Sequence, residues 1–343
     1  MLADAVAFII DDAIGRRIFP GAVVVLARGA QPCFAAAFGT TMYDDAGSRP
    51  VTLQTRYDLA SLTKMFTAAA ALRLVDRGAL DLTAPITRYL PDSQASGVTV
   101  THLLTHTSGL DLRLSTLATA GGAAICRAAL DARPSYAPGA ILAYMNINSL
   151  LLGAVVAAVA EMPLDAAIDT LVLEPLGLRE TSFCPPATVR ERCAPTEIDL
   201  VWRGGLVWGE VHDESAAALG GVAGHAGLFG IAADVQRFCA AWLPGSGFLS
   251  EPLRRYATTV QTPGMALRCG LGWMMERETF MGSAWRGGYG HTGFTGPAML
   301  VLPEEDLTLV LLSNRTYPQR GPVQHHVVTA AVVEAAIAIG TRE

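Results

Sequence analysis

Apolar positions cluster in two pairs of short runs, one pair near each end of the chain. The first pair flanks a polar turn at 28–31, and the second flanks a polar turn at 303–306. Apolar runs of strand length on either side of a short polar turn are typical of β-hairpins. Segment 1–17 is amphipathic at helical spacing, and 327–339 is an apolar stretch interrupted by Glu334. The pattern therefore predicts a hairpin and a helix at each end.

The middle of the chain is predicted to be mainly helical. Segments 60–77 and 148–161 have helix-forming sequences, and the strand–helix–strand alternation of a parallel sheet is absent. We therefore expect an α/β chain of the α+β type, in which strands from both ends build one antiparallel sheet flanked by the terminal helices. The predicted domains are 1–60 together with 220–343 for the sheet, and 61–219 for an inserted, mainly helical domain.

Composition and charge narrow the function classes. The 343 residues are 51% hydrophobic and carry a formal net charge of −6, which excludes a disordered chain. This mild acidity argues against a nucleic-acid partner and against an anionic membrane surface. No run approaches the roughly 18 consecutive apolar residues of a membrane span, and the first residues lack the basic region of a secretory signal. We expect a cytoplasmic protein, and the sequence leaves its oligomeric state open.

The spacing of cysteine and histidine residues indicates neither a metal nor a cofactor. The six cysteines form no CxxC pair, so they are expected to be small buried hydrophobic residues. A disulfide between Cys184 and Cys193 is conceivable but unsupported. His102 and His106 have the i, i+4 spacing of a zinc helix without its HExxH pattern. The acidic stretch at 209–214 lacks a fourth ligand. We therefore expect no cofactor and no metal.

Lys64 is the single lysine among 25 basic residues. Arginine stands at every other basic position, and arginine cannot act where a neutral amine is needed. Lys64 follows Ser61 by three residues, and positions i and i+3 lie on one face of a helix. A desolvated amine can act as a general base toward a serine hydroxyl. The alternative is a solubilising lysine near an unrelated serine.

Two further segments carry residues suited to the same chemistry. Tyr144 and Asn146 combine a phenol that can pass a proton to a leaving group with a carboxamide that can hold a substrate carbonyl. Segment 290–296 is glycine-rich and precedes a strand, so a substrate would have room along the strand edge. His291 is a candidate to contact a substrate carboxylate or to tune Tyr144, and the amide of Phe294 is a candidate oxyanion donor. The alternatives are a loop tyrosine, a turn asparagine and a plain glycine-rich turn.

Taken in this order, the SxxK, YxN and HTG elements resemble the serine β-lactamase and penicillin-binding-protein superfamily. The similarity is strongest to the class C branch, which includes DD-peptidases, D-aminopeptidases and family VIII carboxylesterases. Segments 77–82, 101–110 and 174–178 are also similar to family signatures, so the resemblance covers nearly the whole chain. It implies a β-lactamase/transpeptidase-like fold, with the active site in a cleft between the two predicted domains.

The resemblance implies a role for each motif residue. Ser61 is the expected nucleophile, Lys64 its base and Tyr144 the proton shuttle. Asn146 is expected to orient the acyl group, and the amides of Ser61 and Phe294 to form the oxyanion hole. The expected substrate-binding residues are Asn146, His291, Thr292, Gly293 and Phe294.

One departure from the family pattern bears on the substrate. Class C β-lactamases usually carry lysine at the position of His291, and a histidine would anchor a β-lactam carboxylate more weakly near pH 7. We therefore expect a serine hydrolase that forms an acyl-enzyme with a small-molecule ester, amide or lactam, with esters or amides preferred. The alternatives are a β-lactamase or DD-peptidase, an acyltransferase of the same fold, and a non-catalytic binding or sensor protein. Segment 220–227 is expected to form a wall of the cleft.

Overall fold

Strands from both ends of the chain form one antiparallel sheet, as the apolar pattern predicts. The computed structural model describes residues 1–43, 47–321 and 324–340. The strands are β1 (Gly21–Arg28), β2 (Gln31–Gly39), β3 (Tyr57–Asp58), β4 (Ser182–Phe183), β5 (Glu197–Asp199), β6 (Gly205–Val207), β7 (Leu228–Gly230), β8 (Arg268–Cys269), β9 (Met274–Met275), β10 (Tyr289–Thr292), β11 (Ala298–Leu302) and β12 (Leu307–Ser313). Seven of them form the main sheet in the order β2-β1-β12-β11-β10-β9-β8.

The first and last long strands lie side by side in this sheet. In the β1–β12 pair Ala22 lies opposite Ser313, and Arg28 lies opposite Leu307. Both predicted hairpins are present: β1 and β2 turn at Gly29, which has the positive φ of +54° that glycine tolerates, and β11 and β12 turn at 303–306. The prediction of an antiparallel sheet built from both ends is confirmed.

Helices cover both faces of the sheet and fill the middle of the chain. The helices are α1 (Leu2–Gly15), α2 (Thr63–Asp76), α3 (Val100–Leu104), α4 (Gly122–Asp131), α5 (Asn146–Ala160), α6 (Leu164–Ile168), α7 (Glu174–Leu176), α8 (Glu214–Ala218), α9 (Ala232–Ala240), α10 (Glu251–Ala257), α11 (Glu278–Met281) and α12 (His326–Gly340). Within the described ranges no single helix has the length and apolarity of a membrane span, although the pair 146–160 and 164–176, bent by 79°, has both when taken together.

Both faces of the main sheet are buried, which explains why its inner strands consist of continuous apolar runs. On one face Val24 and Leu309 pack with Ile10 of α1 and Val332 of α12. On the other face the alternate strand residues pack against α2 and α9. Alternate residues of a strand point to opposite faces, so a strand covered on both sides needs apolar residues at every position.

Helix α2 lies near the centre of the helical region. Every residue from Thr63 to Leu72 is buried, and a helix that is apolar on all sides is typically surrounded by protein. Its four consecutive alanines, 68–71, let neighbouring elements approach closely, and α5 packs against it. At the sheet side, the Phe66 ring of α2 stacks on Phe238 of α9 with centroids 4.2 Å apart. These contacts fix the position of the residues at the start of α2.

A second, three-stranded sheet holds the segment that precedes α2. Strand β7 lies between β3 and β4. Just after β3, the amide of Leu59 donates a hydrogen bond to the carbonyl of Leu228 at 2.9 Å. The sequence analysis did not predict this sheet, because strands of two or three residues are too short to show a periodic pattern. The sheet ties residues 57–59 to a distant part of the chain just before Ser61.

The cysteines only partly follow the expectation that they are buried. All six are free thiols, and Cys184 and Cys193 form no disulfide. Cys193, Cys239 and Cys269 are buried, whereas Cys33, Cys126 and Cys184 are exposed.

Replacing Phe66 with alanine tests the packing of α2 against the sheet. The substitution removes a fully buried ring, so we expect the free energy of unfolding to fall by about 3–5 kcal/mol in urea denaturation. Phe8→Ala is the matched control, because Phe8 is 77% exposed on α1, and its effect should stay within about 0.5 kcal/mol. Equal losses in the two variants would contradict the central position of α2.

Candidate active site

Ser61 and Lys64 meet at the N-terminal end of α2. Ser61 lies in a short 3₁₀ turn, Ala60–Leu62, and Lys64 lies in the first turn of the α-helix that follows. Lys64 Nζ donates to Ser61 Oγ at 2.8 Å and to the carbonyl oxygen of His225 at 3.1 Å. The lysine is 3% exposed and has no carboxylate partner among the described residues. The one lysine of the chain is therefore held against the serine that its spacing indicated.

Asp58 fixes the turn that presents Ser61. Its carboxylate accepts from the amide of Ala60 at 2.8 Å and from the amide of His212 at 2.7 Å. Burial raises the pKa of Asp58, and these two hydrogen bonds act in the opposite direction. Thr295 Oγ1 donates to the backbone carbonyl of Asp58 at 2.9 Å. Ala60 has a φ of +46°, a left-handed conformation that strains an alanine and that the surrounding bonds maintain.

Tyr144 lies across the cleft from the serine–lysine pair. Lys64 Nζ is 5.2 Å from the centroid of the Tyr144 ring. The ring also lies 4.7 Å from the imidazole of His106 and 5.9 Å from that of His291, measured between centroids. The phenol side chain is 39% exposed and lines the cleft. The structure therefore brings together the lysine and the tyrosine that the sequence analysis selected from separate motifs.

Two buried, neutral imidazoles, those of His106 and His291, lie near the ring of Tyr144. Burial lowers the pKa of both His106 and His291 to about 3, and the Lys64 ammonium acts in the same direction. Asn148 Nδ2 contacts His106 Nδ1 at 3.3 Å, and Ser108 Oγ donates to Asn148 Oδ1 at 2.5 Å. Because these imidazoles are uncharged, they add no positive charge beside the lysine.

His291 does not line the cleft. The side chain is completely buried, and its Nδ1 lies 2.9 Å from the carbonyl oxygen of Thr292. Of the two contacts expected for His291, the structure has the one with the Tyr144 ring. Its complete burial separates the imidazole from the residues that line the cleft. Thr292 is half-buried at the end of β10 and also lies outside the residues that line the cleft.

The end of β10 lies against the turn that carries Ser61. A Cβ atom on Gly293 would come within 2.9 Å of the carbonyl oxygen of Leu59 and 3.3 Å of the Ala60 methyl group, so only glycine permits this approach. Phe294, the next residue, lines the cleft beside Ser61. Within the described part of the chain, neither the amide of Ser61 nor that of Phe294 donates to a protein acceptor.

Asn146 contacts an acidic residue that the sequence analysis did not select. Asn146 Nδ2 is 3.4 Å from Asp213 Oδ2. The other oxygen of Asp213 accepts from Ser215 Oγ at 2.5 Å, from the amide of Ala216 at 2.8 Å and from His225 Nε2 at 3.1 Å. Burial would raise the pKa of Asp213, but His225 and these hydrogen bonds hold it well below its usual range.

A second polar network borders the cleft on the side of Phe294. Arg320 donates to Glu197 through Nε and Nη2, the latter at 2.6 Å, and it pairs with Glu214 at 2.8 Å. His212 Nε2 contacts Glu197 at 2.7 Å. Burial would raise the pKa of Glu197, but the hydrogen bonds from His212 and Arg320 lower it to about 2.

The residues of these networks were partly visible in the sequence. The sequence analysis argues against a metal site at the acidic stretch 209–214, and the structure places its residues His212 and Asp213 in hydrogen-bond networks. No group of three or more His, Cys, Asp or Glu side chains among the described residues could hold a metal ion. Segment 220–227 borders the cleft through Ala226 and through the carbonyl of His225.

Together these elements surround a cleft of about 300 Å³. Apolar, hydroxyl, amide and charged groups converge on Ser61, an arrangement that fits a small polar ligand. The lining residues are Ala60, Ser61, Ser115, Tyr144, Asn146, His212, Asp213, Glu214, Ala226, Phe294 and Arg320.

Acidification should destabilise the protein through the two buried imidazoles. Each has a pKa near 3 when folded and about 6.5 when unfolded, so the unfolded chain binds more protons between these values. Stability is therefore lost as the pH falls below about 6.5, by up to about 1.4 kcal/mol per pH unit for each imidazole. Urea denaturation between pH 7.5 and 5 measures the slope, and His291→Asn should reduce it. Stability independent of pH in this range would contradict the burial of these groups.

Comparisons with known sequences identify related proteins. The family model described as Beta-lactamase matches residues 7–333. A putative D-alanyl-D-alanine carboxypeptidase from Escherichia coli (strain K12) is 30% identical, over 89% of this chain and 81% of the relative. Esterase EstB from Burkholderia gladioli is 33% identical, over 90% of this chain and 89% of the relative.

Solved structures with the same fold include several kinds of protein. EstCE1, described as a hydrolase with promiscuous acyltransferase activity, has a TM-score of 0.77 at 24% identity and covers 96% of this chain and 98% of its own. A class C beta lactamase has a TM-score of 0.76 at 20% identity, covering 97% and 98%. At these identities the likeness shows the fold alone, and it confirms the expected β-lactamase/transpeptidase-like architecture.

Proposed function

The chain belongs to the beta-lactamase family, and we propose that it is a serine hydrolase in which Ser61 becomes acylated by a small ester or amide. The observation that carries this proposal is the 2.8 Å contact between Lys64 Nζ and Ser61 Oγ in a buried setting. An amine in hydrogen-bond contact with a serine hydroxyl is placed to take the proton when that hydroxyl attacks a carbonyl. A charged surface lysine would serve no such purpose.

In the proposed first step, Ser61 Oγ forms a bond to the substrate carbonyl carbon and its proton moves to Lys64. The carbonyl oxygen becomes an oxyanion, which the free amides of Ser61 and Phe294 are positioned to stabilise. The bond to the leaving group then breaks. Tyr144, beside Lys64 and exposed to the cleft, passes a proton to the departing oxygen or nitrogen.

In the proposed second step, a water molecule replaces the leaving group. Tyr144 accepts a proton from this water, which attacks the acyl carbon, and the same pair of amides holds the new oxyanion. The ester bond to Ser61 breaks and the serine regains its proton from Lys64. Asn146, held by Asp213, is placed to orient the acyl group through its carboxamide. The proposed active-site cleft lies between the sheet domain, 1–60 with 220–343, and the helical domain, 61–219.

The charges around the cleft favour neutral esters over substrates with a carboxylate. His291 is buried and neutral, and Arg320, the cation that lines the cleft, already pairs with Glu197 and Glu214. Because a β-lactam or a D-alanyl peptide carries a carboxylate, it would have to displace one of these pairs. The relative named as an esterase agrees with this preference, whereas the relatives named as carboxypeptidases support a D-alanyl peptide as the second candidate.

Substitutions at the serine and the lysine test the proposed nucleophile and base. Ser61→Ala and Lys64→Arg should each lower kcat/KM for p-nitrophenyl butyrate by about 10³-fold or more, because one removes the nucleophile and the other replaces the amine with a permanent cation. Ser93→Ala is the matched control, because Ser93 is buried outside the cleft. If Lys64→Arg keeps wild-type turnover, Lys64 is not the base.

A pair of substrates tests the proposed preference for neutral esters. We expect kcat/KM for p-nitrophenyl butyrate to exceed that for nitrocefin, a β-lactam with a carboxylate, by about 100-fold or more, on the order of the loss expected from one missing charge-assisted contact. Spectrophotometric rates with the same preparation give this ratio directly. Comparable turnover of nitrocefin would instead favour a β-lactamase, and release of D-alanine from a D-alanyl-D-alanine peptide at similar efficiency would favour a carboxypeptidase.

A further inference from the structure

Arg315 is a buried cation next to the cleft, and it has no carboxylate partner among the residues that the structure describes. It follows β12 directly and is 9% exposed. The other two arginines of the described chain with similar burial, Arg56 and Arg254, pair with Glu180 at 2.8 Å and with Glu251 at 2.5 Å. A buried charge without a partner costs free energy. We therefore expect another interaction to offset the cost of burying the Arg315 charge.

The contacts of Arg315 converge on Phe294. Its Nε donates to the backbone carbonyl of Phe294 at 2.7 Å, and its guanidinium carbon lies 4.5 Å from the centroid of the Phe294 ring. A remaining contact, from Nη1 to the carbonyl of Gly321 at 3.2 Å, ties the same group to the loop after β12. Every polar partner that Arg315 has within the described ranges is thus a neutral carbonyl, and no described carboxylate cancels its positive charge.

Phe294, which Arg315 contacts, lines the cleft beside Ser61. The Phe294 N–H shares a peptide plane with the Gly293 carbonyl, which accepts from the amide of Gly296 at 3.1 Å. The bond from Arg315 holds the next peptide plane, so the two bonds together fix Phe294 on both sides of its Cα. By covalent geometry the guanidinium lies within about 7 Å of the Phe294 amide. The aromatic ring also stacks on the imidazole of His212, with ring centroids 5.7 Å apart. Arg315 is therefore placed to anchor Phe294 on its carboxyl side and to add positive potential near its amide.

We propose that Arg315 is a positioning residue for the oxyanion hole, which anchors Phe294 through its carbonyl and supplies an uncancelled positive charge that stabilises the anionic tetrahedral state. This inference rests on the proposed function of Ser61 and of the Phe294 amide. The buried charge of Arg315 is costly in the free protein, and it gains a counter-charge only when the substrate oxygen becomes negative. Arg315 should therefore speed the reaction step and leave substrate binding nearly unchanged.

Arg320 also lies near the Phe294 ring, but its contacts differ from those of Arg315. Its guanidinium carbon lies 5.8 Å from the Phe294 centroid, yet Glu197 and Glu214 cancel its charge. It also makes no hydrogen bond to the backbone of Phe294 in the described structure. Proximity to the aromatic ring is therefore shared by the two arginines, whereas the bond to the carbonyl and the uncancelled charge belong to Arg315.

The test compares ground-state binding with binding of an anionic tetrahedral adduct. Phenylboronic acid accepts Ser61 Oγ at boron, the serine proton moves to the enzyme base, and the product is a tetrahedral boronate anion that resembles the oxyanion state. Arg315→Met should raise the Ki of phenylboronic acid and lower kcat for p-nitrophenyl butyrate, each by about 10–50-fold, less than the 10²–10³-fold loss of a direct donor. KM should change by less than about threefold. Arg315→Lys keeps the charge and should recover most of the boronate affinity.

Arg254→Met is the matched control for loss of a buried arginine. We expect it to lower Tm without changing the Ki of phenylboronic acid, because Arg254 pairs with Glu251 away from the cleft residues. If Arg315→Met does not fold, Arg315→Gln serves in its place, because it keeps an amide donor while removing the charge, and the same rise in Ki is expected.

The outcomes separate this inference from the proposed function. A folded Arg315→Met or Arg315→Gln whose Ki and kcat stay within about twofold of wild type would overturn the role of Arg315 alone. A parallel rise in KM and Ki would also overturn it, because that pattern indicates lost binding of both states. A wild-type protein that forms no boronate adduct at Ser61 would overturn the proposed function, and this inference with it.

Discussion

The contact between Lys64 Nζ and Ser61 Oγ is the interaction on which the rest of the site depends. It lies at the start of α2, a helix enclosed by protein on nearly all sides, where the polar partners of the lysine are a hydroxyl and one backbone carbonyl. The imidazoles beside this pair are neutral, and the acids of the nearest networks are already paired. The reactivity proposed for Ser61 follows from this setting.

Three distant parts of the chain have to meet for that contact to form a site. Strands β3 and β7 hold the residues before Ser61, Asp58 and Thr295 join this segment to the end of β10, and the carbonyl of His225 orients the lysine. Because each part comes from a different region of sequence, the geometry is a product of the whole fold. The positive φ of Ala60 is one local cost of this arrangement.

The fold was predictable where the apolar periodicity was strong, and the candidate site where a residue type was rare in the sequence. Apolar runs indicated β1, β2, β11 and β12, and a single lysine in an arginine-rich chain indicated Lys64. The short strands β3, β4 and β7 carry no periodic signal. The roles of Asp213 and Arg315 depend on tertiary contacts, and their local sequences do not reveal which acids are paired. His291 was predicted either to bind substrate or to contact Tyr144. The structure has its ring near that of Tyr144, and the complete burial of His291 is a property of the packed β10 strand.

Trapping the covalent intermediate tests the central claim most directly. The protein is mixed with p-nitrophenyl butyrate, quenched in acid within milliseconds to seconds and digested for mass spectrometry. The account predicts a single butyryl group on Ser61 that appears before steady-state turnover and disappears as substrate is consumed. Turnover without any acylated peptide, or a butyryl group on another hydroxyl of the cleft such as Ser115, would contradict it.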